Sequence, residues 1–430
     1  MLFANSKKQK KMLFVNSKCV SLQRITNRKN CMETLFAKQD RLLALTSTGI
    51  MRQLIEQINW DAQLIAIKGA RGVGKTTLML QYIKLNYPQY SREVLYCSLD
   101  AVYFSNHSLL DLTDKFYKNG GKHLFLDEVH KYPNWSREIK EIYDFYPDLR
   151  VVISASSLLN LLKGDADLSR RCIPYNLQGL SFREFLQFYK GIEIPISSLE
   201  EVLTQPQELC SRVNEVCKPI PLFKEYLRYG YYPFYLKNQT DYYTSIEQVV
   251  NLIVETELPQ LCGVNTANIR KLKALIEVIS TSVPFEVEIT KMATVIGVHR
   301  NTVIEYLNHL ENAQLMHLLY ADIKSVKKMQ KPDKIFLENS NLLYALADSQ
   351  VQIGTAREVF VVNQLSYQHT VEYGKNVGDF KIDGRYTVEV GGEKKTFTQI
   401  ADVPSSYILA DDIETPYGHK LPLWTMGFLY

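Results

Sequence analysis

The sequence has no apolar run near the ~20 residues that a membrane-spanning helix requires, so no membrane partner is expected. It has no Cys-x-x-Cys pair. Its seven cysteines are scattered at positions 19, 31, 97, 172, 210, 217 and 262. An odd, unpatterned set points to reduced thiols and a cytoplasmic setting, not to a disulfide frame or a zinc site. Eight histidines include no His-Glu-x-x-His, which leaves a metalloprotease without support. Acids are missing from residues 1–31, which carry Lys7, Lys8, Lys10, Lys11, Lys18, Arg24, Arg28 and Lys29. Removing those eight charges from the net +4 leaves the remainder near −4. The body of the chain therefore has no global basic excess, and any nucleic-acid contact must come from a local patch.

What is present is ordinary for a globular chain of two to four domains: 430 residues, 46% hydrophobic and 22% charged. The tail repeats itself, Met1-Leu2-Phe3 against Met12-Leu13-Phe14, and lacks the apolar centre of a secretory signal. It reads as a transit-type segment or as an extension ahead of a start at Met32, and it is set aside from the fold.

The organising stretch runs from Leu64 to Thr77. An apolar run ends at Gly69, and Ala70, Arg71, Gly72, Val73 and Gly74 form a loop. Lys75, Thr76 and Thr77 then open a helical pattern. Strand, Gly-x-x-x-x-Gly-Lys-Thr and helix together make a phosphate-binding loop. Its glycines let successive backbone N–H groups face one concavity at a helix N-terminus. Lys75 can reach the outer phosphates and Thr76 can ligate Mg²⁺.

Three further apolar runs, at 94–100, 123–128 and 150–157, alternate with helical segments, which predicts a parallel α/β sheet. The middle run ends in Asp127-Glu128. An acid at the carboxyl end of a central strand lies beside the phosphate loop. Asp127 is expected to hold Mg²⁺, and Glu128 to orient or deprotonate water. The last run ends in Ser154, Ala155, Ser156 and Ser157, where a hydroxyl can meet the γ-phosphate, although serines are common in turns. Arg170 or Arg171 can stabilise phosphoryl charge, in cis or from a neighbouring subunit, or can simply be exposed.

The phosphate loop, Asp127-Glu128-Val129-His130-Lys131 with Trp135, Ile153-Ser154-Ala155-Ser156-Ser157 and Leu180-Ser181-Phe182-Arg183-Glu184-Phe185 resemble one group of prokaryotic AAA+-type ATPases. Members couple the ATPase to a C-terminal domain of unknown function similar to PD-(D/E)XK nucleases. The likeness runs from about Met32 to Tyr430. It implies a sensor-1 role for Ser156 or Ser154, an arginine-finger-like place for Arg171, and a Gly-x-x-Pro element in a lid-like region. Members tend to have Gly-Ser-Ser and Gly-Arg where this chain has Ala155-Ser156-Ser157 and Arg170-Arg171.

After residue 190 the pattern is helical. A helix ends at Gly230, Pro233 blocks its continuation, and the tyrosines at 226, 229, 231, 232 and 235 serve packing or base stacking. Ile289–Leu307 reads as two helices turning at Gly297, with a wing strand from Leu315 to Tyr320. In a DNA reader His299, Arg300, Asn301 and Thr302 would face the major groove; the alternative is a protein contact. Further on, Gly378–Ile382 and Tyr386–Gly392 form a hairpin at Asp383-Gly384. Asp379, Glu389 and Glu358 are candidate metal ligands of a nuclease-like site. Gly391 occupies the expected lysine position, and Lys394 and Lys395 would need a shifted strand to serve instead.

The expected architecture is an α/β P-loop NTPase domain (32–190), a helical lid-like region (191–265), a winged-helix-like region (266–325) and a small α+β nuclease-like domain (326–430), behind the basic tail (1–31). The expected activity is Mg²⁺-dependent ATP hydrolysis that moves the later domains, with DNA, a protein or further copies of the chain as partners. The alternatives are an ATP-binding switch with little turnover and an ATP-gated nuclease.

Overall fold

The computed structural model describes residues 32–158, 168–281, 288–321, 331–347, 351–375 and 377–430. The basic tail, with the candidate starts Met1 and Met12, lies outside the described residues.

Strands β1 (Leu64–Gly69), β2 (Val94–Ser98), β3 (His123–Asp127), β4 (Arg150–Ser156) and β5 (Ile173–Asn176) form one parallel sheet in the order β2-β3-β4-β1-β5. Successive side chains on a strand point to opposite faces. Leu64 and Ala66 accordingly enter one apolar cluster while Ile65 and Ile67 enter another. Both faces are covered, which is why the central strands read as unbroken apolar runs. β4 lies between the strand that leads into the phosphate loop and the strand that ends in Asp127. Its C-terminal serines are thereby placed between the two motifs.

β5 has no counterpart in the sequence reading. It is an edge strand containing Pro174, and none of its four residues is buried. Such a strand lacks both the apolar alternation and the run of ladder N–H groups that mark a central one.

Among the described residues one large apolar core includes Leu158 and draws most of its members from Phe182 to Tyr430, while Ile400, Ile408 and Ala410 form a small separate cluster. The helices Ile289–Ile296 and Arg300–Asn312 meet at Gly297, whose left-handed backbone (φ 66°) ends the first helix. β6 (Met316–Leu319) and β7 (Lys334–Leu337) then pair antiparallel. The expected division between 325 and 326 lies outside the described residues. The helix Ser340–Leu346 also packs on Pro219–Tyr229 and Tyr242–Leu252.

The remaining strands are β8 (Val371–Tyr373), β9 (Phe380–Ile382), β10 (Tyr386–Gly391), β11 (Ser406–Ala410) and β12 (Lys420–Pro422), ordered β12-β11-β10-β9-β8. β9 is antiparallel to both neighbours, whereas β10, β11 and β12 are parallel. Asp383 and Gly384 both have positive φ, and the Arg385 N–H donates to the Ile382 carbonyl, the type I′ signature.

Gly230 ends the helix Pro219–Tyr229 as expected, but Pro233 opens a short 3-10 turn, Pro233–Leu236. The neighbouring tyrosines pack. Tyr226, Tyr231 and Tyr232 are buried, and the Tyr226 hydroxyl donates to the Leu180 carbonyl at 2.8 Å. Among the described residues no helix is long and apolar enough to cross a membrane.

Candidate functional site

The loop from Gly69 to Gly74 connects β1 to the helix Lys75–Asn86. Gly74 caps that helix with φ 101°, a conformation that costs a side-chain-bearing residue heavily. The Lys75 ammonium is buried and donates to the carbonyls of Gly69 (2.8 Å) and Ala70 (2.9 Å). Burial lowers its pKa, and the carboxylates of Glu128, Asp127 and Glu257 oppose that shift.

Asp127 collects three hydroxyl donors. Thr76 Oγ1 donates to Oδ2 at 2.6 Å and the Tyr96 hydroxyl to the same oxygen at 2.7 Å, while Ser154 Oγ donates to Oδ1. Thr76 stands in the first turn of the helix after β1 and Asp127 ends β3, so β4 must lie between them for Ser154 to join. A hydroxyl oxygen touching a buried carboxylate is the hard-oxygen donor set that suits Mg²⁺, and these residues fit a nucleotide-bound magnesium ion.

Glu128 adopts a left-handed backbone, φ 56° and ψ 43°, which is unusual for a non-glycine residue and characteristic of functional positions. Its N–H donates to Ser154 Oγ at 3.0 Å. Its carboxylate lies 3.9 Å from Arg71 Nη1 and 3.3 Å from His130 Nε2, the latter without hydrogen-bond geometry. Desolvation raises the Glu128 pKa, with Lys75 pulling the other way. Burial brings His130 down to about 4, so that its ring is neutral near pH 7. A carboxylate of raised basicity beside a neutral imidazole can accept a proton from water.

Ser156 Oγ donates at 2.7 Å to Glu257 Oε2, and Arg71 Nη1 donates at 3.0 Å to Glu257 Oε1. Glu257 had no signal in the sequence, because it lies in a helical stretch far from either motif. The turn Pro233–Leu236 also touches the loop through Phe234: a Cβ on Gly72 would stand 2.9 Å from its ring. Arg171 is engaged elsewhere. Its guanidinium pairs with Asp144 at 2.9 Å and lies over the Tyr143 ring. Arg170 is exposed.

Glu358 and Glu389, two of the expected metal ligands, each feel the negative charge of the third, Asp379. Among the described residues no group of three or more His, Cys, Asp or Glu converges on a point where a metal would sit. Each carboxylate has a partner within the protein. Lys334 Nζ is 2.6 Å from Glu358 Oε2, Lys395 Nζ is 2.5 Å from Glu389 Oε1, and the Val390 N–H donates to Asp379 Oδ2 at 2.7 Å. Lys395 reaches Glu389 without a shifted strand. A turn closed by its N–H to the Gly392 carbonyl folds its side chain back over Gly391.

Residues 61–186 match a family profile described as AAA domain, and residues 220–352 match a domain of unknown function, DUF8612. The chain is 25% identical over 291 residues to the uncharacterized protein MJ1637 of Methanocaldococcus jannaschii, covering 64% of this chain and 61% of the relative. It is 22% identical over 266 residues to MJ1544 of the same organism, covering 59% and 55%. It thus spans about three-fifths of the length of the curated relatives it matches. Solved structures that align include RuvB of Thermotoga maritima (16% identity, 66% of this chain and 89% of that one, TM-score 0.28). Another is AMPPCP-bound DnaA of Aquifex aeolicus (16%, 60% and 86%, TM-score 0.25). At these scores they carry no functional argument. The profile match, the phosphate loop and the parallel sheet around it together identify residues 61–186 as an AAA+-type domain on a P-loop α/β core.

Proposed function

We propose that this chain binds ATP with Mg²⁺ at the loop Gly69–Thr77, hydrolyses it, and uses the nucleotide state to move the helices that follow residue 190. The observation that carries this reading is the convergence on Asp127 of Thr76, Tyr96 and Ser154 beside Glu128. Backbone N–H groups of the loop and Lys75 hold the phosphates, for which Lys75 exchanges its carbonyl partners for phosphate oxygens. Thr76 and Asp127 would hold the magnesium ion, which supplies neutralisation of phosphate charge. Glu128 orients water and takes its proton, and Ser154 fixes the backbone from which Glu128 projects. Purified protein should release phosphate from ATP, and Glu128→Gln should slow release by ~10²–10⁴-fold while ATP still binds. A Glu128→Gln variant that turns over normally defeats the assignment.

A switch with little turnover is the second reading. It is favoured by the contacts of Phe234 and Glu257 on the loop and its surroundings, since both must rearrange in each cycle. Partners are part of the proposal. His299, Arg300 and Asn301 stand exposed at the start of the helix Arg300–Asn312, where a DNA groove or a protein surface could receive them. ATPase rate with and without DNA, and mass in solution with nucleotide, separate a DNA-stimulated assembly from a protein-directed switch.

A further inference from the structure

Glu257 ends the π-turn Ile253–Glu257, which joins the helices Tyr242–Leu252 and Leu258–Cys262. It is an acid of the lid-like region, yet its side chain is only 2% exposed, because it reaches across to the ATPase domain. Its two oxygens divide the available donors: one accepts from Ser156 and the other from Arg71. Ser156 is the last residue of β4 and pairs in register with Gly69, where the phosphate loop begins. Arg71 belongs to the loop itself and also approaches Glu128. The carboxylate therefore occupies the space bounded by the loop, the end of β4 and the candidate water-activating residue.

If the loop holds a nucleotide, the phosphate that is attacked must lie within reach of Glu128, and so in this same space. Ser156 and Arg71 offer a hydroxyl and a guanidinium, the donors that suit a terminal phosphate as well as a carboxylate. Two anions cannot share them in a buried setting, because each would be left without a countercharge. A diphosphate ends one phosphate earlier, at the loop amides and Lys75, and leaves both donors to Glu257.

We propose that Glu257 sets the discrimination between nucleoside triphosphate and diphosphate: the γ-phosphate displaces it from Ser156 and Arg71, and a diphosphate does not. Displacement withdraws the π-turn from the site, so the same residue couples the γ-phosphate to the helices on either side. This inference rests on the reading of Gly69–Thr77 as an ATP site.

The test is equilibrium binding of a non-hydrolysable ATP analogue and of ADP to the full chain, as wild type, Glu257→Gln and Lys75→Ala. Glu257→Gln keeps the shape but removes the competing charge. It should tighten the triphosphate analogue by roughly tenfold, within the usual range of coupling between sites, and leave ADP within about threefold. Equal shifts for both nucleotides, or none, with ADP binding intact, overturn the proposal and leave the ATP-site reading standing. Failure of wild type to bind either nucleotide overturns both. A second measurement uses unmodified protein: amide hydrogen exchange over residues 253–262 should rise with the triphosphate analogue and not with ADP. Unchanged exchange in both cases also overturns the proposal.

Discussion

Arg52 and Glu184 form a buried ion pair, Nε to Oε1 at 2.9 Å, that fastens the phosphate loop to the segment following β5. The same guanidinium donates to the Val73 carbonyl inside the loop at 3.0 Å and to the carbonyls of Gln178 and Gly179. Glu184 also completes a capping box with Ser181, and Ser181 and Arg183 both donate to the Tyr430 carbonyl. One planar cation thus couples the loop's shape to the packing of the far end of the described chain.

Removing one member leaves the other charge buried without its partner, which costs about 3–5 kcal/mol. Arg52→Met and Glu184→Leu should each lower the thermal midpoint strongly. The double variant should recover part of the loss, because Arg52 and Glu184 then leave no charge facing an empty place, and the part not recovered falls to Arg183, whose guanidinium also lies 3.8 Å from Glu184. Thermal unfolding of the three proteins checks this, and strictly additive losses would show that the two groups are not coupled.

Glu128→Gln retains the size and polarity of the side chain but cannot take a proton. Turnover should fall by ~10²–10⁴-fold, the usual contribution of a positioned base. ATP affinity should stay close to wild type, because phosphate binding lies with Lys75 and the loop. Steady-state phosphate release together with nucleotide titration separates the two quantities.

His123 is fully buried at the start of β3, with Nδ1 2.8 Å from the Tyr87 hydroxyl, and burial pushes its pKa down to about 3 from 6.5. Between those values the unfolded chain binds the proton and the folded chain does not. Stability is therefore complete above pH 6.5 and declines as pH falls toward 3. The loss from this residue should be on the order of 3 kcal/mol at pH 4. His123→Phe should flatten that part of the pH profile, as measured by urea unfolding at pH 7 and pH 4.5.

Lys395 bears on a different window. Glu389 is buried and its pKa is raised by desolvation, against the lowering effect of Lys395. Lys395→Met removes that opposition, so the folded-state pKa of Glu389 rises further above its unfolded value. A carboxyl in that position is stabilising at low pH, and the contribution is lost as pH rises through the folded pKa. The variant should lose more of its thermal midpoint at pH 8 than at pH 5. An equal loss at both would indicate that Lys395 contributes packing and not charge.

The parts of the site that were legible in the sequence are short-range. The strand, loop and helix around Gly69–Thr77, the Asp127-Glu128 strand end and the Asp383-Gly384 turn each declare themselves within about a dozen residues, through periodicity and backbone preference. β5 was not legible, because Pro174 and its exposed neighbours erase the pattern of a strand that pairs on one side only. The pairing of Lys395 with Glu389 was not legible either, because a turn after β10 reverses the chain within four residues and linear spacing does not record it.

By itself, then, the sequence determined that a phosphate-binding loop meets an acid-tipped parallel strand, since those features depend on local backbone chemistry and on apolar patterning. Only the tertiary structure decided which groups answer the buried charges: Glu184 for Arg52 across 132 residues, and Ser156 for Glu257 across 101. The physical reason is that a strand or helix is specified by its own neighbours. A buried charge, in contrast, takes whatever partner the packed core brings within reach, and nothing in local spacing records that choice.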